Sequence, residues 1–185
     1  MEEAEAKRIK IVLIGDSATG KTSLITRFFD DTYQDTYQNL NVDFVRRVIE
    51  IDNQTVEVLA WDLPRSSSFR PITKYHYRCT KGILLVFDRT DLGSYNSIEY
   101  WLRDCRNKCT DAPIVLVSNK SDLTPHQDIP NSSTIADKYD LPIFHTSAKT
   151  GTNVNKAFIR LVKDALAYDS QSQESLQNKK HCFVM

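Results

Sequence analysis

Residues 8–24 read RIKIVLIGDSATGKTSL, and the fold is decided by how this stretch is read. Lys10 to Ile14 is β-branched and apolar enough for a strand buried on both faces, and from Lys21 onward helix formers put Leu24 and Ile25 on one side. Between them lies GDSATGKT, a GxxxxGKT pattern running from Gly15 through Asp16, Ser17, Ala18, Thr19, Gly20 and Lys21 to Thr22. Gly15 and Gly20 let backbone N–H groups converge on a phosphate, Lys21 supplies a positive charge, and Thr22 offers a hydroxyl to Mg²⁺. Strand, glycine-rich loop and helix in this order read as a cradle for a triphosphate.

Working outward, the next helix spans Lys21 to Asp30 and gives way to DTYQDTYQNLN, which has neither helical nor strand periodicity. Val42 to Ile51 and Thr55 to Trp61 alternate as strands, and Asp52-Asn53 supplies the turn of a hairpin. A proline-broken loop follows, then the buried strand Gly82 to Asp88. An amphipathic helix from Asp91 to Cys109, a buried strand Pro113 to Asn119, a short helix Ser133 to Tyr139 and a strand Leu141 to His145 come next. In the last helix, with Thr152 as N-cap, Val154, Ala157, Phe158, Leu161, Val162 and Ala165 share one face. Alternating strands and helices predict an α/β fold, a mostly parallel sheet covered on both faces with one antiparallel edge strand from the hairpin. Ligands then bind at the carboxyl ends of the strands.

The chain's 185 residues suffice for one domain, expected at 1–168, with 169–185 as a flexible tail lacking apolar periodicity. With 24 basic and 24 acidic residues there is no general attraction to nucleic acid or to an anionic membrane. The opening MEEAEAKRIK is charged rather than signal-like, so the chain is expected to start in the cytosol. Four cysteines make no disulfide framework, and the four histidines do not cluster at ligand spacing. Cys105 and Cys109 share an apolar helix face with Tyr95, Ile98 and Leu102, which points to core packing.

Two strand ends select the base. After PIVLVS comes Asn119-Lys120-Ser121-Asp122, an NKxD pattern in which Asp122 can accept from both the ring N–H and the exocyclic amine of guanine; adenine offers no such pair. Thr146-Ser147-Ala148-Lys149, after the next strand, can place a backbone N–H on the guanine carbonyl. A phosphate-loop kinase using ATP would need a base pocket without that carboxylate.

Through these three motifs, residues 8–168 resemble the Ras superfamily of small GTPases, and within it the Rab family. Val42-Asp43-Phe44, the Trp61-Asp62 strand end, SFRPITKYHYR at 68–78 and LLVFDRT at 84–90 are similar to Rab signature segments. The resemblance implies a P-loop NTPase fold with a six-stranded sheet and five helices. It also implies a GTP/GDP switch with Mg²⁺ on vesicle or organelle membranes, a monomer met by effector, exchange and activating proteins. Phe44, Trp61, His76 and Tyr77 resemble the surface that Rab effectors touch, and equally suit a core. Tyr33 and Tyr37 could stack near the guanine, lie over the phosphates, or simply pack.

Two departures from the family pattern bear on activity. Where Rabs read WDTAGQE this chain reads WDLPRSS: Asp62 remains for the Mg²⁺ shell, Arg65 replaces the glycine that meets the γ-phosphate, and Ser66 replaces the glutamine that orients the attacking water. Where Rabs read STIGVDF this chain reads QNLNVDF, one residue shorter from Tyr33, with either Asn39, able to offer an amide oxygen, or nothing in the place of the threonine that binds Mg²⁺. Slow hydrolysis and weak switching follow as expectations, and a pseudo-GTPase scaffold indifferent to its nucleotide is the competing one. Arg65 acting in cis as an arginine finger is a further alternative. The final Cys182-Phe183-Val184-Met185 resembles a CaaX box, which implies a prenyl transferase as partner and a farnesyl group on Cys182. One lipid with Lys179 and Lys180 implies reversible attachment to the cytoplasmic face of membranes.

Overall fold

A computed structural model describes residues 6–34, 44–63, 77–108 and 111–181. Its central strand, β1 (Lys7–Ile14), shows why the chain wraps around it: Ile9, Ile11 and Leu13 enter one core and Val12 and Ile14 the other, all fully buried. A strand with apolar side chains on both faces can only sit inside a sheet covered on both sides. Helix α1 (Lys21–Asp30) follows, then the hairpin β2 (Phe44–Ile51) and β3 (Gln54–Asp62), β4 (Gly82–Asp88), α2 (Leu92–Asn96), α3 (Ile98–Lys108), β5 (Ile114–Asn119), α4 (Ser133–Lys138), β6 (Ile143–His145) and α5 (Val154–His181).

The six strands lie in the order β2-β3-β1-β4-β5-β6, with β2 antiparallel to β3 and every other pair parallel. With five helices among the described residues, this is the fold expected of a P-loop GTPase. Asp52 and Asn53 both have positive φ, as the primed two-residue hairpin turn requires. One core face is filled by α1 and α5 through Leu24, Phe28, Phe158 and Leu161, with the Phe28 and Phe158 rings stacked 4.2 Å apart. The other is filled by α3 and α4 through Ile98, Trp101, Leu102, Cys105 and Ile135.

Four sequence expectations are corrected. The helix expected at 91–109 is two helices: Ser97 Oγ donates to Gly93 O, 3.1 Å, and back-bonding of this kind bends a helix. Asp91 caps the first of them, accepting from the N–H groups of Gly93 and Ser94. Thr152 does not cap α5; Asn153, at φ 53°, precedes the first turn and its carbonyl takes the first bond, from Ala157 N. The strand expected from Leu141 is only Ile143–His145. Finally, the last helix does not stop at 168 but continues to His181, because Asp169 is buried and paired with Lys81 (2.7 Å) and Lys7 (3.4 Å). Cys105 is fully buried as expected, and Cys109 lies outside the described residues.

Candidate functional site

The carboxyl ends of β1, β4, β5 and β6 converge on one cleft. Its phosphate side is the turn from Gly15 to Thr22, and glycine is needed at both of its ends. Gly15 has φ 138° and a Cβ there would lie 2.0 Å from the carbonyl oxygen of Val86; Gly20 has φ 91° and a Cβ would lie 2.3 Å from Asn119 Nδ2. The Lys21 side chain is buried and donates to the carbonyls of Gly15 (3.0 Å) and Asp16 (2.7 Å), so its ammonium is held over the loop. Thr19 Oγ1 donates to the same Asp16 carbonyl, 3.0 Å. Asp16 is gripped from the far side too, for the Trp101 indole N–H on α3 donates to its Oδ1 at 3.0 Å. Ser17 and Ala18 are exposed at the tip, with Ala18 at φ 62°.

Asn119, fully buried at the end of β5, ties this loop to the base side. Its Nδ2 donates to Thr19 O (2.8 Å) and its Oδ1 accepts from Thr146 Oγ1 (3.1 Å), joining β1, β5 and β6. Lys120, at φ 60°, is paired with Asp88 at 2.6 Å; Asp88 also accepts from the Thr90 amide and hydroxyl. Asp122 is exposed to the cleft and accepts from Ser147 Oγ at 2.5 Å. Ser147 and Ala148 are buried, and Ser147 Oγ in turn accepts from the Thr150 amide. Gly20, Asn119, Lys120, Asp122 and Ala148, with Ser23, Tyr33, Gln34, Leu123 and Lys149, line a cleft open to solvent. Tyr33 lines the cleft and also packs against the α1–α5 core.

On the metal side Thr22 Oγ1 donates to Asp62 Oδ2, while Asp62 Oδ1 is buried with no hydrogen-bond partner among the described residues. Burial pushes the Asp62 carboxyl above the usual range, an effect opposed by the Thr22 hydrogen bond and the Lys21 charge. A hydroxyl beside a desolvated carboxylate whose Oδ1 has no partner among the described residues suits Mg²⁺, which takes one or two protein oxygens and completes its shell with phosphate and water. Asn39, Arg65 and Ser66 lie outside the described residues, as do Tyr37, His76 and Cys182. Of the surface aromatics, Tyr77 is core, bonded to Asp104 at 3.4 Å, whereas Phe44 is half exposed and stacks on Trp61 at 5.3 Å.

A model of the Ras family matches residues 10–167, a span that takes in the phosphate loop, the NKSD turn and the TSAK turn just described. The chain belongs to the Ras family. GTP-binding protein YPTM2 of Zea mays and Ras-related protein RABD2a of Arabidopsis thaliana are each 39% identical to this Ras-family chain over 165 residues, covering 85% of it and 81% of the relative. Within the Ras superfamily this chain is a Rab-type small GTPase.

Two residues of this Ras-family site had no motif to announce them. Trp101 carried a signal, since Ile98, Trp101, Leu102 and Cys105 fall at i, i+3, i+4 and i+7, but only burial, not the bond to Asp16, is legible in that pattern. Arg27 carried none: it is a basic residue in the last turn of α1, and its partners are 121 and 122 positions away.

Proposed function

We propose that this chain is a GTP-binding regulator of membrane traffic that holds guanine nucleotide with Mg²⁺, hydrolyses it slowly and changes little between its GTP and GDP forms. The observation that carries the reading is the Asn119 side chain, which joins the phosphate loop at Thr19 to the base turn at Thr146 and so makes one cleft from three motifs. The relatives' GTP-binding and Rab names support the same nucleotide.

In this reading the N–H groups of Gly15 to Lys21 and the Lys21 ammonium hold the β- and γ-phosphates, and Asp122 accepts from the guanine N–H groups. A backbone N–H of the Ser147–Lys149 turn meets the guanine carbonyl. Thr22 and Asp62, with Asn39 as a third candidate, would hold Mg²⁺, which neutralises developing phosphate charge when bound. The slow turnover rests on Arg65 and Ser66 standing where a glycine and a glutamine serve the γ-phosphate in the family; a serine is too short to reach the attacking water. Cys182 is proposed as the prenyl acceptor, on the CFVM sequence, for reversible attachment to the cytoplasmic face of membranes.

The test is nucleotide analysis of the denatured purified protein, followed by single-turnover hydrolysis. GDP or GTP at near one equivalent is expected, with hydrolysis below roughly 10⁻⁴ s⁻¹ in the absence of a partner, slower than the roughly 3–5 × 10⁻⁴ s⁻¹ of an unaided small GTPase that keeps its glutamine. Protein free of nucleotide would favour a scaffold of the same fold. A faster rate would overturn the catalytic half of the reading and leave the binding half standing.

A further inference from the structure

The Arg27 guanidinium reaches out of α1 and meets successive carbonyls of the base turn: Nε donates to Ala148 O at 2.8 Å and Nη2 to Lys149 O at 2.9 Å. Its third nitrogen, Nη1, donates to the carbonyl of Asp31 at 2.9 Å and to Asp31 Oδ1 at 3.3 Å, so the side chain is locked to the end of its own helix. Four hydrogen bonds from one planar fork fix both its position and its plane. The fork is packed, not waving in solvent: Arg27 Cδ lies 3.8 Å from where a Gly151 side chain would begin, and the Arg27 side chain is 18% exposed.

The consequence falls on Ala148, which is 4% exposed. On its amino side, Ser147 is held by Asp122 through its hydroxyl and by the Thr152 carbonyl through its amide (3.1 Å). On its carboxyl side, the carbonyls of Ala148 and Lys149 are held by Arg27. With both flanking peptides pinned, the direction of the N–H groups in this turn is set before any base arrives. Arg27 also lies six residues beyond Lys21 on the same helix, so it couples the base turn to the element that begins at the phosphates. Asn119 makes one brace between the two ends of the cleft, and Arg27 makes a second from the other side.

We propose that Arg27 is a positioning residue for guanine recognition: by gripping the carbonyls of Ala148 and Lys149 it aims a backbone N–H of the base turn at the 6-oxo group of the purine. The inference rests on the reading that the cleft takes a guanine nucleotide. It assigns Arg27 to the base rather than to the phosphates, although the residue sits on the phosphate-binding helix.

The test pairs the residue with the atom it is said to serve. Affinities of GDP and of 6-thioguanosine diphosphate, whose sulfur is a far poorer acceptor while the ring N–H and amine remain for Asp122, are measured for the full chain, Arg27→Ala and Arg27→Lys. The unaltered chain prefers GDP. Arg27→Ala loses about tenfold in GDP affinity and much less for the thio analogue, so the preference shrinks. Arg27→Lys behaves like Arg27→Ala, because one ammonium cannot reproduce a fork that meets two carbonyls. Both affinities are read on one sample, so their ratio is independent of how much of a variant is folded. Equal weakening of the two nucleotides, or full preference in Arg27→Lys, would overturn the proposal. An unaltered chain that binds neither nucleotide would instead remove the reading on which it rests.

Discussion

The base end of the cleft and its metal end are built on opposite principles. At the base end, Asn119, Asp122, Thr146 and Ser147 are bonded to one another and to the phosphate loop, and Arg27 grips the next two carbonyls. Each polar group there has its geometry fixed by protein partners, so binding a base costs little reorganisation. At the metal end, one hydroxyl and one desolvated carboxylate face each other, and Asp62 keeps a buried oxygen without a partner among the described residues. An orphaned buried acceptor costs free energy until a cation or donor arrives. The difference teaches that the polar groups around Asn119 and Ser147 are held in place by one another, whereas Asp62 keeps an acceptor unsatisfied among the described residues.

The contrast is broken most severely by Asp122→Ala. It removes the acceptor proposed for two guanine N–H groups and leaves the Ser147 O–H without its acceptor, and GDP affinity should fall on the order of a thousandfold in a fluorescent-nucleotide titration. A fall of less than tenfold would mean that the base end is not the source of specificity.

Asp62→Asn probes the other end with a smaller effect. Mg²⁺ affinity of the nucleotide complex should weaken about 10- to 100-fold, read as loss of the acceleration of GDP release that chelation produces in the unaltered chain. Its stability effect has a definite sign. Burial holds the folded pKa of Asp62 above its unfolded value, so ionising this group costs folding free energy. That cost is absent below the unfolded pKa and is incurred as pH rises through the folded one. Asp62→Asn should therefore raise the melting temperature of nucleotide-free, chelated protein at neutral pH, with the gain vanishing in acid.

Asp169→Asn is the smallest change and serves as the control for both ends. Asp169 pairs with Lys7 at the start of β1 and with Lys81 just before β4, at the amino ends of the strands and away from the cleft. Burial alone would raise its carboxyl pKa, but Lys81 and Lys7 hold it below the ordinary range. Its contribution is thus present at neutral pH and lost as pH falls through the depressed folded value. Asp169→Asn should lower stability by about 1 kcal/mol by thermal melting at pH 7, converge with the unaltered chain in acid, and leave GDP affinity unchanged.

Much of this site was legible in the chain. Gly15 and Gly20 shape the loop through their backbone and Lys21 folds its side chain back onto the same few residues, so their short spacing survives any tertiary context; helix α1 and strand β4 begin and end where periodicity put them. Element ends were less legible. Nothing local distinguishes 169–181 from a polar tether; the helix continues past a buried aspartate whose partners, Lys7 and Lys81, are 162 and 88 positions away. Ser97 separates two helices within a pattern that is amphipathic on both sides of it, its hydroxyl sharing the Gly93 carbonyl with its own N–H.

By itself, then, the sequence determined the α/β alternation, the glycine-rich loop between β1 and α1 and the NKxD pattern that places Asp122 after β5, since each depends on residue types at short, fixed spacing. Only the tertiary structure decided that Asn119 and Arg27 brace the two ends of the cleft, that Tyr77 is core while Phe44 faces out, and that Asp62 keeps an oxygen with no partner among the described residues. These are meetings between residues tens of positions apart, and which carbonyl a guanidinium reaches is set by how helices pack on the sheet rather than by any pattern along the chain.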